Sequence, residues 1–436
     1  MLRFLQVVRR AAGVLLAGGL VAVLAACDSG SGQPPVEEFI ERHWEFPVAP
    51  QGMPPDHFGV TEASLSAESC GQCHARQFED WQTSRHSETM NDGLRWQLRV
   101  FSPAEANSCM NCHTPLAEQK ALVSTELDWP NAPDEPPPAH VPEGLAHEGL
   151  TCAGCHVRGN QRFGPEHRAG LEGDEEGLPH DGFTPHEAFS DSQFCAACHQ
   201  FPDDGPRLNG KLRQDTQNEW LESEFAGRGV TCQGCHMPDR RHLWRGISDP
   251  QMTRDALALE LAGQEQADGE VAVELEVANV GAGHHFPTYM VPRVDLRLLL
   301  VDADGEARAE VLHHPIQWKS SVDLTEEYFD HRIPSGDSVR LSAGFELPED
   351  PQGWSLELHM DVVPKEFYER MYRDMLRQAD RMDRETLALL QNALAEAEAT
   401  RYRALRERIP LDGPIRLELQ PDPLPGATNA RHGSAE

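Results

Sequence analysis

Cys70-Gly-Gln-Cys73-His74 recurs along the chain as Cys109-Met-Asn-Cys112-His113, Cys152-Ala-Gly-Cys155-His156, Cys195-Ala-Ala-Cys198-His199 and Cys232-Gln-Gly-Cys235-His236. Two cysteines with two residues between them, followed at once by a histidine, form the attachment signature of a c-type haem. The spacing has a physical reason. The two thiols must reach the two vinyl groups on one edge of a porphyrin, and the next residue must swing under the ring and bind iron. With this composition, chance would supply roughly 0.01 such pentapeptides. The chain has five, and they use ten of its 11 cysteines.

Other readings of the pattern are weaker. Paired cysteines can hold zinc, but zinc does not need the trailing histidine. A disulfide framework belongs to small secreted chains. The expectation is therefore five haem c groups with their iron. They are bonded through Cys70, Cys73, Cys109, Cys112, Cys152, Cys155, Cys195, Cys198, Cys232 and Cys235, with His74, His113, His156, His199 and His236 as proximal ligands. The first cysteines stand 39, 43, 43 and 37 residues apart. That is a loose repeat set by haem binding, not a solenoid period. So short a spacing keeps neighbouring rings close, which suits electron conduction.

The eleventh cysteine, Cys27, stands apart. Arg3, Arg9 and Arg10 precede an apolar stretch from Ala11 to Ala26, which reads as an export signal over residues 1–26. It ends in Leu24-Ala25-Ala26-Cys27, which resembles a lipobox. Cys27 would then carry the acyl chains that anchor the mature chain to a membrane. Asp28 resembles the enteric signal for staying in the inner membrane. The expected location is the periplasmic side of the membrane, where c-type cytochromes mature.

The 436 residues carry a formal charge of -33. That excludes a nucleic-acid partner, since phosphates would be repelled. It favours partners that present a basic face. Residues 27–60 are rich in Pro, Gly and acid and read as a flexible tether. Residues 61–254 hold all five motifs and read as short helices and loops packed around the haems, with helices also over Ala75–Met90 and Gln217–Ala226. After that the pattern changes. Val271–Val277 alternates with period two, as a half-buried strand does. Similar runs cover Val294–Val301, Val339–Phe345 and Trp354–Val362, so residues 255–363 read as a small β-sandwich. A long helix or helical hairpin is expected from Pro364 to Arg408, with Ile415–Leu419 returning as a last strand inside a segment ending at 420. Residues 421–436 read as a disordered tail.

Whether such a chain carries electrons or also performs chemistry depends on the sixth iron ligand. A second histidine gives a low-spin centre suited to electron transfer, and an open position admits a small molecule. Of 21 histidines, the best-placed distal candidates are His86, His147, His186, His242 and His284. His285 adjoins the last. His140, His167, His180, His313 and His314 are reserves, and Met237 and Met252 are weaker choices.

Trp81-Gln82-Thr83-Ser84-Arg85-His86, Ser192-Gln193-Phe194-Cys195, Glu219-Trp220 and Cys232 through Pro238 together resemble the multihaem cytochromes of the cytochrome c-554 group. That group shares haem arrangements with hydroxylamine oxidoreductase and pentahaem nitrite reductase. The segment Gly281-Ala282-Gly283-His284-His285-Phe286-Pro287-Thr288 resembles one found where such cytochromes carry a C-terminal β-domain. The resemblance covers roughly residues 60–300. It implies closely packed haem pairs with mostly two histidine ligands, His86, His147, His186 and His242 being the matching positions. It also implies that His284 reaches back to a haem. Unlike the nitrite reductases, this chain has no Cys-x-x-Cys-Lys, and it offers no evident tyrosine cross-link of the hydroxylamine oxidoreductase kind.

The expected function is electron transfer through five haems in a membrane-anchored respiratory cytochrome, between a quinol-linked donor and a terminal reductase. The alternative is a reductase or oxidoreductase acting on a small nitrogen or sulfur compound at one five-coordinate haem, with Arg85, His140 or His167 as proton donors. A third reading is a subunit of a larger respiratory complex.

Overall fold

The computed structural model describes residues 33–168, 177–267 and 269–422. The expected export segment, Cys27 and nearly all of the expected disordered tail lie outside the described residues. Among the described residues, no helix is long and apolar enough to cross a membrane.

The motif-bearing half is built from short helices joined by loops, because each Cys-x-x-Cys-His needs only a turn or two of helix. Local capping sets where these helices start. Thr151 Oγ1 accepts from Gly154 N at the third motif, and Thr231 Oγ1 accepts from Gly234 N at the fifth, both at 3.3 Å. The second motif ends a longer helix, Pro103–His113. There Ser102 and Glu105 form a capping box and proline takes the first helical position. The helix expected over Ala75–Met90 stops at Gln82 and gives way to turns. The one expected over Gln217–Ala226 is two short helices, Thr216–Leu221 and Glu224–Gly227.

The expected tether is ordered from Val36 on. Val36–His43 is a helix that buries Phe39 and His43. Prolines 34, 35, 47 and 50 flank it, which is why its composition read as a linker. Between them, Val-Glu-Glu-Phe-Ile-Glu-Arg-His is amphipathic and folds against the motif region. Phe39 stacks on His186 with ring centres 3.9 Å apart.

Two four-stranded antiparallel sheets follow. One runs in the order Ser338–Glu346, Glu270–Asn279, Leu257–Glu265, Arg416–Leu419. The other runs Tyr402–Pro410, Ser355–Val363, Arg293–Val301, Ala307–Ile316. The alternation along Glu270–Asn279 puts Val271, Val273, Leu275 and Val277 inside. They share one core with Leu296, Leu298, Leu356, Leu358 and Met360 of the other sheet, as facing sheets do.

The sandwich does not end at residue 363. The helical stretch expected from Pro364 to Arg408 takes the form of two helices, Glu366–Leu376 and Arg384–Ala399, but its last part is the strand Tyr402–Pro410. Asp383 starts the second helix by accepting from Glu385 N and Thr386 N, both at 2.9 Å. Arg403, Arg406 and Arg408 then point outward and pair with Asp361, Glu357 and Ser355 of the neighbouring strand, while Ala404 and Ile409 enter the core. The two helices pack on Asp92–Val100 through Trp96, Tyr372, Leu389 and Leu390. From Pro35 onward, motif region and sheets belong to one compact unit.

Candidate haem sites

None of the motif cysteines is joined in a disulfide. The segments that carry them sit side by side. The thiols of Cys70 and Cys152 lie within hydrogen-bond reach, as do Cys112 with Cys198 and Cys195 with Cys232. Motif one is thus next to motif three, and motif four touches both two and five. Cys232 N also donates to Ser192 Oγ at 3.1 Å, which ties motif five to the start of motif four.

Four motif histidines face a second histidine. His74 faces His180 with ring centres 6.4 Å apart, and His156 faces His242 at 6.1 Å. His199 faces His86 at 6.2 Å, and His236 faces His284 at 6.3 Å. These separations are too long for a hydrogen bond between the rings. Metal–imidazole bonds of about 2 Å on either side of one ion would put ring centres about 6 Å apart, so each gap fits an iron.

The other ring nitrogens support the same fit. Nδ1 of His156 donates to Phe163 O at 2.7 Å, and Nδ1 of His236 donates to Arg245 O at 2.5 Å. His180, His242 and His284 make the matching bond to Gly182 O, Arg240 O and His285 O at 2.8, 3.1 and 2.8 Å. A carbonyl can only accept, so each Nδ1 carries the proton and each Nε2 is left with a free lone pair. Burial holds the imidazoles of His86, His156 and His236 neutral, the form that binds metal. It lowers His86 to about 3 and His156 and His236 to about 4, helped by neighbouring imidazolium charge.

Two expected ligands are elsewhere. His147 stands at the surface, 2.6 Å from Glu126 Oε2. His186 is buried against Phe39, and its Nδ1 accepts from Ala188 N at 3.1 Å, capping the turn that leads into motif four. Both were candidates because they precede a motif in sequence, but neither faces a motif histidine. The place opposite His74 is taken by His180, which sits in a Pro-His-Asp-Gly turn with a left-handed backbone (φ 47°). Of the adjacent pair, His284 faces a motif histidine, while His285 is 3.1 Å from Glu219. Among the reserves, His313 pairs with Asp295 at 2.9 Å and His314 stacks on His331 at 4.9 Å.

Sequence reasoning also missed Trp244. Its indole lies edge-on to both His86 and His242, at 4.7 and 5.0 Å between ring centres. Its φ of 40° is unusual for a bulky side chain.

His113 breaks the pattern. Its Nδ1 lies 3.3 Å from Thr89 O, and Thr89 Oγ1 donates back to His113 O at 2.7 Å. Among the described residues no histidine ring faces it.

Residues 69–131, spanning the first two motifs and His86, match the family model described as cytochrome c554 and c-prime. No characterised protein sequence matches the chain. Among solved structures, the penta-heme cytochrome c552 from Thermochromatium tepidum is similar over 81% of this chain and 100% of that one, with a TM-score of 0.54 and 17% identity. At that identity the likeness is one of fold. Motifs, family segment and fold agree on the class: a multihaem c-type cytochrome. The five motifs fit haem c, and the matched segment supports electron transfer.

Proposed function

We propose that the chain carries five haems and conducts electrons between them, each of four irons held by two histidines. The pairs are His74 with His180, His156 with His242, His199 with His86 and His236 with His284. The observation that supports this is the set of four ring gaps of 6.1–6.4 Å. Bound there, the haems supply reversible one-electron chemistry. The chain's own work is to fix each Nε2, keep it unprotonated and exclude water around it. The contacts between motif segments give the order of neighbours: one beside three, and four beside two and five.

The fifth iron, on His113, has no such partner, and this favours a second role. That haem would bind a small molecule, with the others supplying or removing electrons. Export, the acyl anchor at Cys27 and exchange with a quinol-linked donor or terminal reductase on the periplasmic side of the inner membrane complete the proposal. They rest on Arg3 to Cys27, on Asp28 and on the acidic charge. Residues 61–254 are proposed as the conducting part, and the sandwich, which runs on to Leu419, with its two helices as the docking part.

A haemochrome assay with electron paramagnetic resonance of the oxidised protein tests it. The expected result is five haems per chain, four low-spin and one high-spin. Fewer than five haems would overturn the count. Five low-spin signals would remove the second role and leave conduction.

A further inference from the structure

Glu219, on the short helix Thr216–Leu221, is a buried carboxylate with a buried arginine beside it. Both side chains are 5% exposed, and Arg332 Nη1 donates to Glu219 Oε1 at 3.1 Å. The helix belongs to the motif region. Gln200, next after His199, accepts at Oε1 from Gln217 N and Asn218 N at 3.1 and 3.3 Å. Trp220 Nε1 donates to Val230 O at 2.9 Å, just ahead of motif five. Glu219 is thus fixed from motif four on one side and from motif five on the other.

Its other oxygen reaches across to the β-region. Glu219 Oε2 accepts from Thr288 Oγ1 at 2.6 Å and from His285 N at 3.1 Å. His285 follows His284 directly, so the second bond fixes the peptide that leaves it. Arg332 adds a third bond to the same loop, from Nη1 to Thr288 O at 2.8 Å. The guanidinium is itself held, by Asp330 at 2.9 Å through Nε and Nη2 and by the Trp318 ring, whose centre is 4.3 Å away. From the sheet side, Asn279 Nδ2 donates to His284 O at 2.8 Å. Burying an ionised pair costs solvation that an apolar contact would not. What the pair adds is direction, with charged groups aiming hydrogen bonds at residues 285 and 288.

We infer that Glu219 is a positioning residue for the motif-five haem: with Arg332 it sets how His284 stands opposite His236. The inference rests on the proposed pairing of those two histidines, whose ring planes are 9° from parallel. Glu219 acts through the backbone of the residue after the ligand. Without the carboxylate, the 285–288 end of the loop is released while Asn279 still holds His284 O. His284 then keeps one anchor where it had two, and its ring turns relative to His236. The angle between two imidazole planes governs the g-values of a low-spin iron, so the turn is visible there. The charge acts as well. A negative group one residue from the ligand favours ferric iron, and its removal favours ferrous iron.

The test uses the full-length holoprotein, with haem content measured by haemochrome. Redox titrations followed by paramagnetic resonance are run on wild type, His284→Ala, Glu219→Gln and Thr288→Val. His284→Ala identifies the motif-five signal, which it should convert to high-spin. Glu219→Gln keeps the size of the side chain but not its charge or its two accepting ends. It should move the g-values of that signal alone and raise its midpoint potential, so that the ferrous form is severalfold more populated at a fixed potential. Thr288→Val removes one donor to Glu219 and no charge, so it should move the g-values and leave the potential nearly in place. If His284→Ala converts no signal, the pairing falls and the inference with it. If it does, and both other variants keep the wild-type g-values and potential of that haem, the pairing stands and the positioning role is overturned. Lower stability with unchanged g-values and potential has the same meaning. If Glu219→Gln does not retain its haems, Thr288→Val decides.

Discussion

The imidazoles of His236 and His284 face each other with ring centres 6.3 Å apart and planes 9° from parallel. One belongs to the fifth motif and the other to the loop after the second sandwich strand, so on the proposed pairing the β-region supplies part of a haem site. His284→Ala should therefore create a second high-spin haem, worth one of five, seen by paramagnetic resonance. His285→Ala, one residue on, should leave all low-spin signals in place and instead free Glu219.

His180 and His186 offer a sharper contrast. His180→Ala should open the first haem and yield one more ligand-accessible iron. His186→Ala should leave the spin states alone and lower stability by about 1–3 kcal/mol, because it removes a buried ring and a cap. A change of spin state in His186→Ala, or none in His180→Ala, would reverse the assignment.

Gly149 is required by close approach. A Cβ there would stand 2.2 Å from His86 O and 2.7 Å from Ser87 O. Leu150 N donates to the same His86 carbonyl at 2.9 Å. Gly149→Ala should push the His86 segment away from His199, costing on the order of 2 kcal/mol. The fourth haem's low-spin signal should change before the others do, in spectra taken over a urea series.

Trp244 sits between His242 and His86, the proposed ligands of the third and fourth haems. Trp244→Ala should shift the midpoint potentials or g-values of those two low-spin centres and leave the first and fifth as they were. A redox titration followed by resonance spectra separates the four.

Asp330 sets an acid limit. Burial pushes its carboxyl up, but Arg332 at 2.9 Å and Lys211 at 2.6 Å outweigh this and hold it at about 2. Its folded pKa is depressed, so its contribution is present above the unfolded value of about 4 and is lost as pH falls through about 2. Allowing for partial solvent screening, the gain is on the order of 1 kcal/mol. Wild type and Asp330→Asn should differ in melting temperature at pH 6 and converge near pH 2.

The haem-binding character of the chain is legible in five pentapeptides, because covalent attachment fixes residue type and spacing within a single turn. Distal ligands are legible only where a local signal exists. His86 follows a Trp-x-x-Ser-Arg segment, and His284 lies in a Gly-Ala-Gly turn. His180 carries no such mark, and nearness in sequence to a motif led to His147 and His186, since the iron is approached from across the fold. The sheets read well where valine and leucine alternate. Tyr402–Pro410 was hidden because Arg-Ala-Leu-Arg-Glu-Arg has high helix propensity; pairing with Ser355–Val363 overrides it. Val36–His43 was masked by the prolines on either side.

Each facing pair joins residues far apart in the chain: His86 with His199, His74 with His180, His156 with His242, His236 with His284. Synthesis runs from residue 1 upward, so the first histidine of each pair exists well before the second. On the proposed pairing, a haem attached at Cys70 or Cys152 would wait for its second ligand, and the last ligand to arrive would be His284 of the β-region.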